Sequence, residues 1–166
     1  ATRLSQVRAD GELLEALVLR GDEKSDLMCV NMMCEHVGGP CACKLARTIS
    51  RVPNLRRLEI PGHGLEFLPD VLDELAELEH LDVSHNKLTD LSVVGRLPKL
   101  KTLRADGNAL AALPAELAAL AGSLSELSLR DNRFEAEPPV LAALREAAPE
   151  MTIDLGGNAC AADVER

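Results

Sequence analysis

Aromatic residues are almost missing from this chain. Its 166 residues include two Phe and neither Trp nor Tyr. A core without aromatics has to be assembled from many small aliphatic contacts. That argues against a sandwich or barrel, which lean on aromatic and β-branched strands. Positive charge is also short: 18 Lys and Arg face 27 Asp and Glu, for a formal net charge of −9 and a pI near 4.9. Nucleic acid calls for a basic face and stacking platforms, so it is excluded as a partner class. Anionic membrane surfaces are disfavoured on the same grounds. Long apolar runs are missing too. Nothing approaches the roughly 18 residues that span a bilayer, and the most apolar stretch, 109–121, is interrupted by Pro114 and Glu116. No direct membrane insertion is expected. The chain opens on Ala1 with no secretory apolar region. Ala1 fits a trimmed initiator Met or a removed targeting peptide. The expected location is intracellular, or an organelle (chloroplast or mitochondrion) if Ala1 marks a processed end.

Leucine and alanine fill the gap, with 30 Leu and 22 Ala. The leucines recur as L-x-x-L-x-L-x-x-N-x-L. Leu78, Leu81, Val83, Asn86 and Leu88 fit this pattern, as do Leu100, Leu103, Ala105, Asn108 and Leu110. Leu124, Leu127, Leu129, Asn132 and Phe134 make a third copy. Upstream, Leu55, Leu58, Ile60 and Leu65 fit, with His63 in the Asn slot. Downstream, Ile153, Leu155, Asn158 and Cys160 fit, with Glu150 replacing the first Leu. A degenerate copy opens at Leu14, Leu17 and Leu19, with Asp22 in the Asn slot. Copies begin at 55, 78, 100, 124 and 150, in steps of 23, 22, 24 and 26 residues. Two copies continue as L-P-x-x-L-x-x-L, at Leu68-Pro69 and Leu113-Pro114, whereas the copy from Leu78 carries Thr89-Asp90-Leu91-Ser92.

This pattern resembles the leucine-rich repeat family, in its intracellular class, over roughly residues 10–160. The resemblance implies an α/β solenoid: a short, right-handed horseshoe with about six parallel strands on its concave face and a helical, 3-10 or irregular convex side. The physics of the repeat agrees. The x-x-L-x-L segment alternates with period two and reads as a short strand with one buried face. One unit cannot bury its own apolar face, but stacked units bury one another's. The structural Asn column, Asn86, Asn108, Asn132 and Asn158, then falls at the turn after each strand, where its amides can satisfy backbone groups.

The chain reads as a single domain, 1–166. Residues 10–54 form a degenerate N-terminal repeat with a cysteine-rich insert at about 23–51, 55–135 the regular repeats, and 136–166 a C-terminal helix, last strand and capping tail. A helix is expected over Pro138–Ala148, with Leu141 and Leu144 inward, followed by a strand at Met151–Leu155. In the insert, Ser25-Asp26 reads as a helix start before Leu27, Met28, Val30 and Met33. Gly38-Gly39-Pro40 marks a turn, and Lys44–Arg51 a second helix with Lys44, Arg47 and Arg51 solvated.

The insert places Cys29, Cys34, His36, Cys41 and Cys43 in the spacing C-x4-C-x-H-x4-C-x-C. That spacing matches no familiar zinc pattern. Thiols packed as small apolar groups are the plain reading, with disulfides or a metal as alternatives. No metal is favoured and no cofactor is called for.

The concave face supplies the remaining candidates. One column across the strands reads Ala16, Arg57, His80, Thr102, Glu126, Thr152. The next reads Val18, Glu59, Asp82, Arg104, Ser128, Asp154. The third reads Arg20, Pro61, Ser84, Asp106, Arg130, Gly156. Candidate partner-binding residues are Arg57, Glu59, His80, Asp82, Arg104, Glu126, Ser128 and Arg130, with the three arginines as anchors. The plain alternative is a solvated surface whose charges pair across neighbouring strands. Neither the His80, Asp82 and Ser84-His85 grouping nor the Glu135 and Glu137 pair has a pocket around it, so no catalytic residues are assigned.

What the resemblance implies is a non-catalytic protein-interaction module. The leading expectation is an accessory or scaffold subunit of a multi-subunit complex, docking by the flank or insert, where Leu27–Met33 offers adaptable apolar contact. The second is a transient regulatory adaptor that uses the concave face. The third is a metal- or redox-responsive module built on Cys29, Cys34, Cys41 and Cys43.

Overall fold

The computed structural model describes residues 14–19, 21, 27–28, 32–35 and 38–160. Six three-residue strands make one open sheet in sequence order: β1 (Ala16–Val18), β2 (Arg57–Glu59), β3 (His80–Asp82), β4 (Thr102–Arg104), β5 (Glu126–Ser128) and β6 (Thr152–Asp154). Every neighbouring pair is parallel. Leu17, Leu58, Leu81, Leu103, Leu127 and Ile153 share one register column, as the repeat alignment requires. Their side chains alternate with those of the strand residues on either side. From Leu17 to Leu127 that column is at most 1% exposed, so each of β1 to β5 buries one side chain and presents two, while Ile153 of β6 is half-buried.

Parallel neighbours need a crossover, and the second half of each repeat supplies it on the other side of the core. Three crossovers are 3-10 helices, Asp70–Glu74, Ser92–Arg96 and Ala115–Gly122. The last is a true α-helix, α2 (Pro139–Ala147), with Pro at its start and Leu141 and Leu144 buried. The crossover Ser92–Arg96 forms without the Leu-Pro signal, because Val93, Val94 and Gly95 are buried in its place. Gly95 is there for close approach: a Cβ would lie 2.6 Å from the Glu116 backbone of the next crossover.

Between strand and crossover lies the asparagine column. The Asn86 amide donates to the Ile60 and Val83 carbonyls, and its Oδ1 accepts the N–H groups of His63 and Leu65, both at 3.0 Å. Asn108, Asn132 and Asn158 repeat the arrangement one step along. Each therefore satisfies backbone groups of its own repeat and the one before, which is how a buried turn avoids orphaned polar groups. His63 is buried in the Asn slot, and its own backbone is held by the next repeat's Asn86.

The insert departs from expectation in one respect. Leu27 and Met28 are not helical. Leu27 lies in a turn, and Met28 forms an isolated antiparallel bridge with Pro40. The Leu27 carbonyl accepts the Cys41 N–H at 3.0 Å, a tertiary closure that competes with helix formation in so short a segment. The proposed start Ser25-Asp26, together with Val30, Arg20 and Asp22, lies outside the described residues. The second helix of the insert exists as α1 (Ala42–Ile49), capped by Cys41, with Leu45 and Ile49 fully buried and Arg47 exposed.

Candidate functional site

Two surfaces carry the candidates. The first is the exposed face of the sheet. Its register brings the expected columns together: Arg57, His80, Thr102, Glu126 and Thr152 align, as do Glu59, Asp82, Arg104, Ser128 and Asp154. The cations there already have partners. Arg104 donates through Nε and Nη2 to Glu126 Oε1, at 3.1 and 2.9 Å. Arg130 pairs with Asp154 at 3.1 Å, and Arg57 with Glu59 on its own strand. Hydrogen bonding to Glu126, reinforced by the carboxylate's charge, raises the pKa of the Arg104 guanidinium further. All three arginine side chains stay about half exposed. Surface pairs of this kind contribute about 0–1 kcal/mol each, so a partner could take over an arginine at little cost.

Two acidic residues, Asp82 and Asp106, serve the turns instead. Asp82 Oδ1 accepts the Ser84 N–H at 2.9 Å, and Asp106 Oδ1 accepts the Ser128 hydroxyl at 2.6 Å and the Arg130 N–H at 2.8 Å. Ser84 is 6% exposed, which corrects its place in the exposed third column. His85 adopts a positive φ of 56°, and its imidazole lies over Gly107, where a Cβ would sit 2.6 Å from Nδ1. Asp82 is thus committed to the backbone of Ser84, and His85 to packing on the next repeat.

The charge ladder continues at the strand entrances. Glu79 receives Lys101 Nζ at 2.6 Å and Arg56 Nη1 at 3.5 Å. The Lys101 hydrogen bond, helped by the charges of Lys101 and Arg56, holds the Glu79 carboxyl below the usual carboxylate range. Lys99–Glu77 and Arg96–Asp73 link successive repeats in the same way. Opposite charges one repeat apart therefore bind the stack along its length.

The second surface is the insert. Among the described residues the exposed large apolar side chains are Met28, Met32, Met33 and Phe67, and three of these four belong to the insert. Met32 and Met33 are 83% and 92% exposed. Phe67 was not singled out by the sequence, although it falls between the core positions Leu65 and Leu68, where the repeat points outward. It lines a cleft of about 250 Å³ with Glu35, Gly39, Pro40, Ala42, Leu65 and Glu66. Beside that cleft, the Sγ atoms of Cys34, Cys41 and Cys43 all lie within 4.8 Å of one another. Cys41 is buried, Cys34 half-buried and Cys43 exposed. Burial as a small apolar group therefore accounts for Cys41 alone. Cys29 and His36 lie outside the described residues. Cys160 is half-buried and packs against the core, as its repeat position requires. Among the described residues no helix is long and apolar enough to cross a membrane.

Comparison with known proteins agrees with this geometry. Residues 53–110 match the family model described as leucine rich repeat. Over 103 residues, 58% of the chain, the sequence is 32% identical to a probable serine/threonine-protein kinase, pats1, of Dictyostelium discoideum, and it spans 3% of that kinase. Among solved structures, a leucine-rich-repeat protein of Leptospira interrogans superposes with a TM-score of 0.59 over 89% of this chain and 38% of its own, at 20% identity. The Arabidopsis receptor kinase HAESA, solved with the peptide hormone IDA and the co-receptor SERK1, superposes with a TM-score of 0.52 at 30% identity, over 68% of this chain and 19% of that one. The chain thus spans a small fraction of each of these relatives.

Proposed function

Because this chain is a leucine-rich-repeat solenoid, we propose that it is a non-catalytic protein-interaction module serving as an accessory subunit of a larger protein assembly, docked through its insert. One observation carries the choice of surface. Among the described residues the exposed large apolar side chains, of the Met and Phe types enriched at interfaces, are Met28, Met32, Met33 and Phe67, on or beside the insert, whereas the arginines of the sheet face are already paired with acidic neighbours. Methionine suits such a role, since its unbranched thioether adapts to an irregular partner surface. The non-catalytic reading is supported by the open sheet face and by the use of Asp82 and Ser84 in backbone turns.

A transient regulatory adaptor is the second reading, supported by half-exposed Arg57, Arg104 and Arg130 on a rigid parallel frame. Two variants separate the readings when the tagged chain is expressed in its source and its companions are recovered. Met32→Asp combined with Met33→Asp abolishes recovery of the companions if the insert docks, while Arg104→Glu leaves it unchanged. The opposite pattern overturns insert docking and favours the adaptor, whose arginine variants would also slow a salt-sensitive association.

A further inference from the structure

The loop between Met28 and Pro40 has fixed ends. Met28 bridges Pro40, the Cys41 N–H bonds the Leu27 carbonyl, and Lys44 Nζ reaches the Met28 carbonyl at 3.3 Å. Leu27 anchors the near end, fully buried. Beyond it, Met32, Met33, Glu35 and Gly38 are exposed. Cys34 returns from this loop to the body of the protein, with its Sγ 3.8 Å from Sγ of Cys41. Cys43, one turn position further into α1, completes a triangle with no edge longer than 4.8 Å.

Those dimensions match a coordination polyhedron. A tetrahedral ion holding sulfur at about 2.3 Å sets its sulfurs about 3.8 Å apart. The Cys34–Cys41 edge already has that length, and the other edges need to shorten by about 1 Å at most. The spacing C-x6-C-x-C concealed this, because chain folding brings Cys34 back to the pair on α1. The electrostatics also fit. Cys41 caps α1 and Cys43 lies in its first turn, which contains no acidic residue. Helix starts favour negative charge through their unpaired N–H groups and dipole. Three thiolates around a dication leave a net charge of −1 beside that helix start.

We infer that Cys34, Cys41 and Cys43 are ligands of one zinc ion, which staples the insert loop to the first turn of α1. Thiolates select a soft ion of this class over magnesium or calcium. Each thiol gives up its proton on binding, so uptake of the ion releases protons to solvent. A further donor, such as a water molecule, completes the tetrahedron. The site requires no partner protein, and its test uses the isolated full chain.

The chain is purified under reducing conditions without chelator, and its metal content is measured. About one zinc per chain is expected, lost to a strong chelator and restored on zinc addition. Cobalt(II) alone is then added to the metal-free protein. Three thiolate ligands give an intense near-ultraviolet charge-transfer band, and Cys43→Ser, conservative and exposed, lowers it by about one third while weakening zinc binding at least about 100-fold, more than loss of an outer contact costs. Cys160→Ser changes neither. Reduced protein that retains no zinc and shows no cobalt band overturns the inference without any variant. A Cys34–Cys41 disulfide in freshly isolated chain, or a cobalt band indifferent to Cys43→Ser, overturns it equally.

Discussion

Asn108 reaches back to accept the backbone N–H of Leu88 at 3.0 Å, while its own amide donates to the carbonyls of Val83 and Ala105. One side chain thereby satisfies the turn of one repeat and the strand exit of the previous one. Asn108→Ala leaves the Leu88 N–H buried without a partner, while the Val83 and Ala105 carbonyls keep the amides of Asn86 and Asn132. Urea denaturation should show a loss of about 1–3 kcal/mol, the cost of one buried donor left bare. Asn132 makes similar bonds at a half-exposed position, and water can replace its partners, so Asn132→Ala should cost clearly less. Equal losses would contradict the reading that burial sets the cost.

Gly95 and Gly122 form a matched pair on the crossover side. A methyl at Gly95 would enter the backbone of Glu116, whereas a methyl at Gly122 meets nothing within 4 Å. Neither residue has a positive φ. Gly95→Ala should therefore destabilise by about 1–3 kcal/mol through overpacking. Gly122→Ala should be neutral or stabilise by up to about 1 kcal/mol, by narrowing the unfolded ensemble. Thermal melts of the two variants should move apart.

Glu79 makes a prediction about acid. The Lys101 hydrogen bond lowers its pKa in the folded state. A carboxylate with a lowered folded pKa contributes stability above its unfolded pKa, and that contribution is lost as pH falls through the folded value. The contribution is therefore present at neutral pH and disappears on the acid side, below about pH 4. Carboxyl titration followed by NMR should place the Glu79 midpoint below those of unpaired glutamates, and Lys101→Met should move it up. A midpoint unmoved by Lys101→Met would sink the assignment.

The sheet face adds a prediction on salt. Among the described residues six ion pairs join residues one repeat apart, including Arg104–Glu126, Lys101–Glu79 and Arg130–Asp154, and all are exposed enough to be screened. Arg104→Glu places like charges side by side, so its destabilisation should be about 1 kcal/mol or less and should shrink as salt rises from low to about 1 M. A large, salt-independent loss would mean that Arg104 packs rather than pairs.

Much of this was legible from leucine positions alone. The columns from Leu17 to Ile153 and the turn role of Asn86, Asn108, Asn132 and Asn158 follow from a repeat in which each residue has one neighbour set. Local pattern and tertiary contact coincide there, so register could be read by alignment. The insert has no such redundancy. Leu27 and Met28 look like the start of a helix, yet the Leu27 carbonyl is taken by Cys41, a contact no local pattern carries. Cys34 meets Cys41 and Cys43 for the same reason. On the sheet face Arg104 falls in the expected register column, but the pairing of Arg104 with Glu126 and of Arg130 with Asp154 depends on side-chain reach between strands rather than on spacing.

Proposed assembly into a larger complex is tested most directly by the mass of the native particle that carries this chain, isolated from its source under gentle conditions with its companions identified. Membership of an assembly requires a large particle of fixed stoichiometry, from which the Met32→Asp and Met33→Asp double variant is lost. A particle near the 17.8 kDa of the chain itself, with no companion in constant proportion, would contradict it.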